Sequence, residues 1–193
     1  MGNVFNNASV AAFLGAVFSM FSALVVVAVS GWLSDRRMVR TIRAEIVVAR
    51  EQARGKLETA RRKLAAMRQG NQVHPGEVLK FDVAVIRELK ARVLHLLKPR
   101  QRLALDGVLF RMEGVDGIFD DARRQEKALR ALSGSSANYD DHVARLEKTL
   151  DDAIVNLRML DEMTEHYASG RFEAITTKGY RREDYEDGST PST

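Results

Sequence analysis

The chain has 193 residues, is 45% hydrophobic and 29% charged, and carries a net charge of +4. It has no cysteine, which excludes disulfides, thiolate metal sites and cysteine nucleophiles. Aromatic residues make up only 7% and proline occurs three times, a composition that suits long helices better than a many-stranded β fold with its frequent turns.

The net charge conceals a gradient. Residues 1–34 carry no charged side chain, residues 35–70 a net of +7, residues 71–139 a net of +3, and residues 140–193 a net of −6. The uncharged start contains the apolar run Ala8–Leu33, long enough to cross a hydrocarbon core of about 30 Å with some tilt. A cleaved signal peptide is the competing reading. The run exceeds the usual length of a signal's apolar region, and no Lys or Arg precedes it. Trp32 stands at its end, where an indole favours the headgroup level, and Arg36, Arg37, Arg40 and Arg43 follow directly. The positive-inside rule then places residues 1–7 outside and the C-terminal region in the cytoplasm. Gly15, Ser19 and Ala23 recur every fourth residue, a small-residue stripe along which two spans can pack closely.

Beyond the span, residues 34–69 are expected to form a basic juxtamembrane helix. Val39, Ile42, Ile46, Ala49 and Ala53 alternate in steps of three and four, and Leu57, Ala60, Leu64 and Met67 resume after an extra step, a heptad stripe with one stutter. Gly70 is the expected end, and His74-Pro75-Gly76 reads as a turn. Three helices are then expected, over 77–98, 100–132 and 138–168. The first has an apolar stripe from Leu79 to Leu97. The second holds a heptad register from Leu105 to Leu129 with Glu126 as its one polar intrusion, and Gly114 and Gly117 mark a candidate kink. Ser133–Ser136 is the linker to the third. Val143, Leu146, Leu150, Leu157 and Leu160 form the cleanest coiled-coil seam in the chain, and Gly170 stops it. Residues 169–193 read as a disordered tail. The expected fold class is all-α: one N-terminal transmembrane helix, a cytoplasmic antiparallel helical bundle or coiled-coil region, and that tail.

No constellation for chemistry emerges. No two histidines stand four apart on one helix, and neither a phosphate-binding glycine loop nor a nucleophile elbow occurs. Glu162 and His166 have the wrong spacing for a di-iron bundle and read as exposed helix polarity. Glu113, Asp116, Asp120 and Asp121 lie on one helix beside Arg123 and Arg124 and read as solvated carboxylates rather than a metal site. No cofactor or metal is expected. The basic stretch from Arg36 to Arg68 fits anionic lipid headgroups over its first turns. Nucleic acid is a poor partner for it, because no stacking aromatic lies between Gly31 and Gln72 apart from Trp32.

Over residues 8–68, the order of short outer terminus, single span and basic helix is similar to the b subunit of rotary ATP synthases. The breaks at 70–75, 98–99 and 133–136 depart from that family's uninterrupted stalk. The functional expectation is therefore a non-enzymatic, membrane-anchored helical scaffold that assembles with itself or with a protein partner. The alternative is a membrane-active effector that oligomerises through its span.

Overall fold

The computed structural model describes the backbone of residues 4–70, 78–132 and 138–186, and side chains from residue 18 onward within those ranges up to residue 185. All regular structure among the described residues is helical: α1 (Val4–Arg68), α2 (Val83–Val93), a 3₁₀ turn (Leu94–Leu96), α3 (Pro99–Ala131), α4 (Tyr139–Ala168), α5 (Phe172–Thr177) and α6 (Glu183–Glu186). The turn expected at His74-Pro75-Gly76 and the linker at Ser133–Ser136 lie outside the described residues. Two compact units divide the chain, residues 1–41 and residues 42–193.

The first unit is the N-terminal part of α1. It is the one helix among the described residues long and apolar enough to cross a membrane, and none of its apolar window is buried within the chain. Phe18, Met20, Phe21, Leu24 and Val26 are all exposed. A core helix of a water-soluble fold covers such side chains with its own neighbours; this one leaves them bare on every face. Ser30 returns its hydroxyl to the Val27 carbonyl oxygen at 3.0 Å, so its polarity is satisfied within the helix.

In the second unit, α1 turns a heptad seam inward. Ile42, Ala49, Lys56 and Lys63 are seven residues apart, as are Ile46, Ala53, Ala60 and Met67. Ile42, Ile46, Ala49, Ala53, Lys56 and Ala60 are buried. The stutter read from the sequence is therefore displaced: the extra step falls between Ala60 and the buried Leu64, not between Ala53 and Leu57. The register runs straight through position 56, where a lysine 6% exposed fills a core position, while Leu57 lies to the side, half-buried. Hydrophobicity alone misplaced the seam because two of its positions are occupied by lysines.

Those lysines meet carboxylates on α3. Lys56 Nζ lies 2.5 Å from Asp116, and Lys63 Nζ lies 2.6 Å from Glu126, which is only 4% exposed. Glu126, the polar intrusion in the α3 heptad, is thus the counter-ion of the polar intrusion in α1. Both partner numbers rise together, so α1 and α3 run parallel here. Arg50 with Asp161 and Arg68 with Asp151 run in opposite senses, so α4 is antiparallel to α1. Arg111 with Asn156 and Gln125 with Thr149 make α4 antiparallel to α3 as well. Leu105, Val108, Met112 and Val115 of α3 and Leu150, Ala153, Leu157 and Leu160 of α4 are fully buried. Each such Leu removed from water contributes roughly 1.5–3 kcal/mol before ordering costs.

α3 is one continuous helix, with Pro99 in its first turn, where the missing N–H costs nothing. Gly114 and Gly117 face open space and do not break it. At Gly107, a Cβ would stand 3.4 Å from Met163 Cε, so this glycine admits close approach of α4.

Two expectations need correction. The helix over 77–98 is shorter: residues 78–82 are non-helical and α2 begins at Val83, capped by Asp82, whose carboxylate accepts from the Val85 N–H. Asp116 also takes the Phe81 N–H at 2.9 Å, which holds this strand-like approach against α3. The disordered tail is also partly wrong. After Gly170, at φ 80°, the Gly170 N–H bonds the Tyr167 carbonyl and the Arg171 N–H bonds the His166 carbonyl, a Schellman closure. The chain then folds back as α5 against α3 and α4 and as α6 against α4, burying Ile175 and Tyr185.

Removing one partner of a buried pair strands the other charge, at a cost of about 3–5 kcal/mol. Asp116→Ala should therefore lower the thermal unfolding midpoint of the full chain sharply. The double variant Lys56→Met with Asp116→Ala should recover much of the loss, which circular dichroism melts of the single and double variants will measure.

Candidate functional site

Trp32, Arg36, Arg37 and Arg40 are all exposed, and the Arg36 guanidinium stacks 4.0 Å above the Trp32 ring. Stacked in this way, the cation and the indole form one amphipathic group at the end of the apolar run. Ser19 and Ala23 of the small-residue stripe are exposed, while the surroundings of Gly15 lie outside the described residues. Arg43 belongs to the second unit and lies 5.9 Å from the Phe172 ring.

The coiled-coil seam of α4 has a different fate from the one a free assembly surface would have. Leu146, Leu150, Leu157 and Leu160 are buried within the chain and Val143 is half-buried. They pack in the core shared with α3 and are not presented to a second molecule.

Much of the basic stretch is likewise used internally. Arg50 reaches Asp161 at 2.8 Å and Glu165 at 2.5 Å, and Arg54 shares Asp161 at 2.9 Å. Lys56 sits 3.6 Å from the centroid of the Phe81 ring, with Phe119 also nearby. Burial pulls the Lys56 pKa down, and the hydrogen bond to Asp116 opposes that fall. The acidic cluster on α3 is neutralised residue by residue: Glu113 by Arg87 at 2.7 Å, Asp116 by Lys56, Asp120 by Lys80 at 2.6 Å, and Asp121 by Arg124. Among the described residues no group of three or more His, Asp or Glu side chains is arranged to hold a metal.

One set of titratable groups on α4 is one the sequence did not disclose. Glu162 accepts from Lys178 Nζ at 2.6 Å on one carboxylate oxygen and from the Tyr185 hydroxyl on the other. His166, read as exposed, is 6% exposed; its Nδ1 lies 3.2 Å from the Tyr180 hydroxyl and its Nε2 lies 3.8 Å from Glu162. The Tyr180 and Tyr185 rings stack at 6.3 Å, and Tyr185 packs on Val155 and Met159. Glu162 is the hub that fastens residues 178–185 onto α4. Lys178, Tyr180 and Tyr185 all lie in the stretch that composition assigned to a tail, so no helical spacing pointed to them.

A groove of about 370 Å³ lies between α2 and α3, lined by Leu94, Leu109 and Phe110 and rimmed by Lys90, Asp106 and Glu113. Phe110 and Leu103 are 75% and 63% exposed and two turns apart, on one face of α3.

No family model, no curated protein and no solved structure matches this chain.

Two shifts at the Glu162 hub act in the same direction. Burial lowers the His166 pKa, helped by the Arg171 charge and opposed by Glu162. Burial tends to raise Glu162, but the hydrogen bonds from Lys178 and Tyr185 prevail and hold it below its ordinary value. Both groups bind protons more readily in the unfolded chain, so stability is intact above the unfolded pKa values and is lost as pH falls. The unfolding midpoint should decline from about pH 6.5 downward as His166 is protonated, with a further decline below about pH 4.5 from Glu162. His166→Gln should abolish the first step and leave the second, as read from melts across that range.

Proposed function

We propose that the protein is a non-enzymatic, single-pass membrane-anchored helical adaptor. Residues 8–33 cross the bilayer with the short N-terminus outside. Residues 42–186 form a folded cytoplasmic domain that recruits a protein partner. The supporting observation for the anchor is the apolar surface of α1 from Phe18 to Leu33, which none of the described residues covers. Covering it requires lipid or other spans, and each apolar side chain moved from water to hydrocarbon gains roughly 1.5–3 kcal/mol. Arg36, Arg37 and Arg40 set the orientation and attract anionic headgroups, at about 1 kcal/mol each near the surface.

The partner surface is the α2–α3 face. The α4 seam is buried, so recruitment relies on apolar side chains that remain exposed: Leu94 in the groove, with Leu103 and Phe110 on α3. The rim pairs Arg87 with Glu113 and Lys90 with Asp106, alternating charge on both sides of an apolar floor. Such a groove suits the apolar face of an amphipathic helix flanked by residues of both signs.

The test is photocrosslinking in cells from a reactive residue placed at position 110. A crosslinked protein partner should appear in the membrane fraction and be lost in a Leu103→Ala, Leu94→Ala background that melts like the wild type. Truncating anchors of this kind costs about 2 kcal/mol or more of binding. A chain released from membranes by alkaline carbonate refutes the anchor. Crosslinks indifferent to both truncations refute the docking face.

A further inference from the structure

We propose that Arg61, Arg68, Arg158 and Arg182 form a binding site for a phosphate-bearing anion. The four side chains line one groove of about 400 Å³, with Arg61 and Arg68 from α1, Arg158 from α4, and Arg182 from the turn before α6. Leu64, Ile154 and Val155 are buried side chains along the same groove and give it an apolar floor.

The charge of the groove is not balanced. Arg182 is paired with Asp152, and Arg68 reaches Asp151 at 3.3 Å, an exposed contact that contributes little. Arg158 donates to the backbone carbonyl of Tyr185 at 2.5 Å, a neutral acceptor. Arg61 has no carboxylate partner among the described residues; its electrostatic neighbour is Arg158 itself. Burial lowers the Arg158 pKa first, and the Arg61 charge lowers it further. Arg61 and Arg158, neither of which meets a carboxylate among the described residues, leave unbalanced positive charge on one concavity. Elsewhere on α1, Arg50, Arg54, Lys56 and Lys63 each meet a carboxylate of α3 or α4, which Arg61 and Arg158 do not among the described residues.

The chemistry of the surplus selects the ligand. All four cations are arginine, whose planar forks bind phosphate oxygens bidentately. A carboxylate brings one charge on two oxygens. A phosphate ester or diphosphate brings about two charges and several terminal oxygens, enough to satisfy guanidiniums arriving from three chain segments. The apolar floor accommodates the organic portion of an ester. The same headgroup chemistry is offered by a soluble phosphate compound and by an anionic phospholipid.

The experiment is calorimetric titration of the full chain, held in phosphatidylcholine nanodiscs, with pyrophosphate and with inorganic phosphate. Saturable binding to one site is expected, tighter for pyrophosphate, and weakened about tenfold or more in Arg61→Gln, Arg68→Gln. Both residues are exposed, and an unchanged unfolding midpoint verifies that the variant is folded. A companion variant, Arg36→Gln, Arg37→Gln, Arg40→Gln, should bind like the wild type. Repeating the titration in phosphatidylglycerol nanodiscs separates the sources. Competition by the lipid assigns the site to a headgroup, and undisturbed binding assigns it to a soluble phosphate. The proposal is overturned by absence of saturable binding, by equal binding in the Arg61/Arg68 variant, or by loss of binding in the Arg36/Arg37/Arg40 variant.

Discussion

Two lysines at core positions of a heptad seam organise the larger unit. Lys56 and Lys63 stand seven residues apart on α1, and Asp116 and Glu126 meet them from α3. A charge in such a position costs several kcal/mol unless it is paired with good geometry, so only one alignment of α1 against α3 is tolerable. A slip of one heptad would set Lys63 beside Asp116 and leave Glu126 without its cation. Apolar contacts between Ala49, Ala53 and Ala60 and their neighbours are small and do little to specify register. The ion pairs supply that specificity, a role well attested for polar residues at seam positions. Lys56 gains further support from the Phe81 ring, which ties the approach to α2 into the same site.

This constraint gives a physical meaning to the charge gradient. A net of +7 over residues 35–70 and −6 over residues 140–193 looks like a basic stalk with an acidic end. Within residues 42–193 the two are complementary surfaces. Arg50 and Arg54 converge on Asp161, and Lys178 and Arg182 return charge from the C-terminal segment to Glu162 and Asp152 on α4. The residues that stay outside this scheme are the informative ones for function: Arg36, Arg37 and Arg40 at the end of the apolar run, and the arginine groove around Arg61 and Arg158.

The helical character of the described residues, the long apolar N-terminal helix and the seams of α3 and α4 were legible because period and length report them directly. The α1 seam was half legible. Ile42, Ile46, Ala49 and Ala53 announced it, and the lysines at 56 and 63 then hid it, since a search for apolar positions steps over a lysine to Leu57. The functional surfaces were harder. The α4 seam at Leu150 and Leu157 signals assembly in the sequence, but a seam does not say whether its partner is another chain or α3 of the same one. Glu162 and His166 passed for surface polarity because their partners lie in a segment whose composition argues against a core. Tyr185 is held there by Glu162 and by packing on Val155 and Met159, contacts far apart in sequence with no period to betray them.

The basic segment from Ile42 to Arg68 is an integral core helix of the larger unit. Amide hydrogen exchange of the full chain in lipid nanodiscs tests it most directly. Amides of residues 46–60 should be protected as strongly as those of residues 105–122 and 150–164, and should open together with them. Fast exchange over 46–60, with α3 and α4 still protected, would contradict the account.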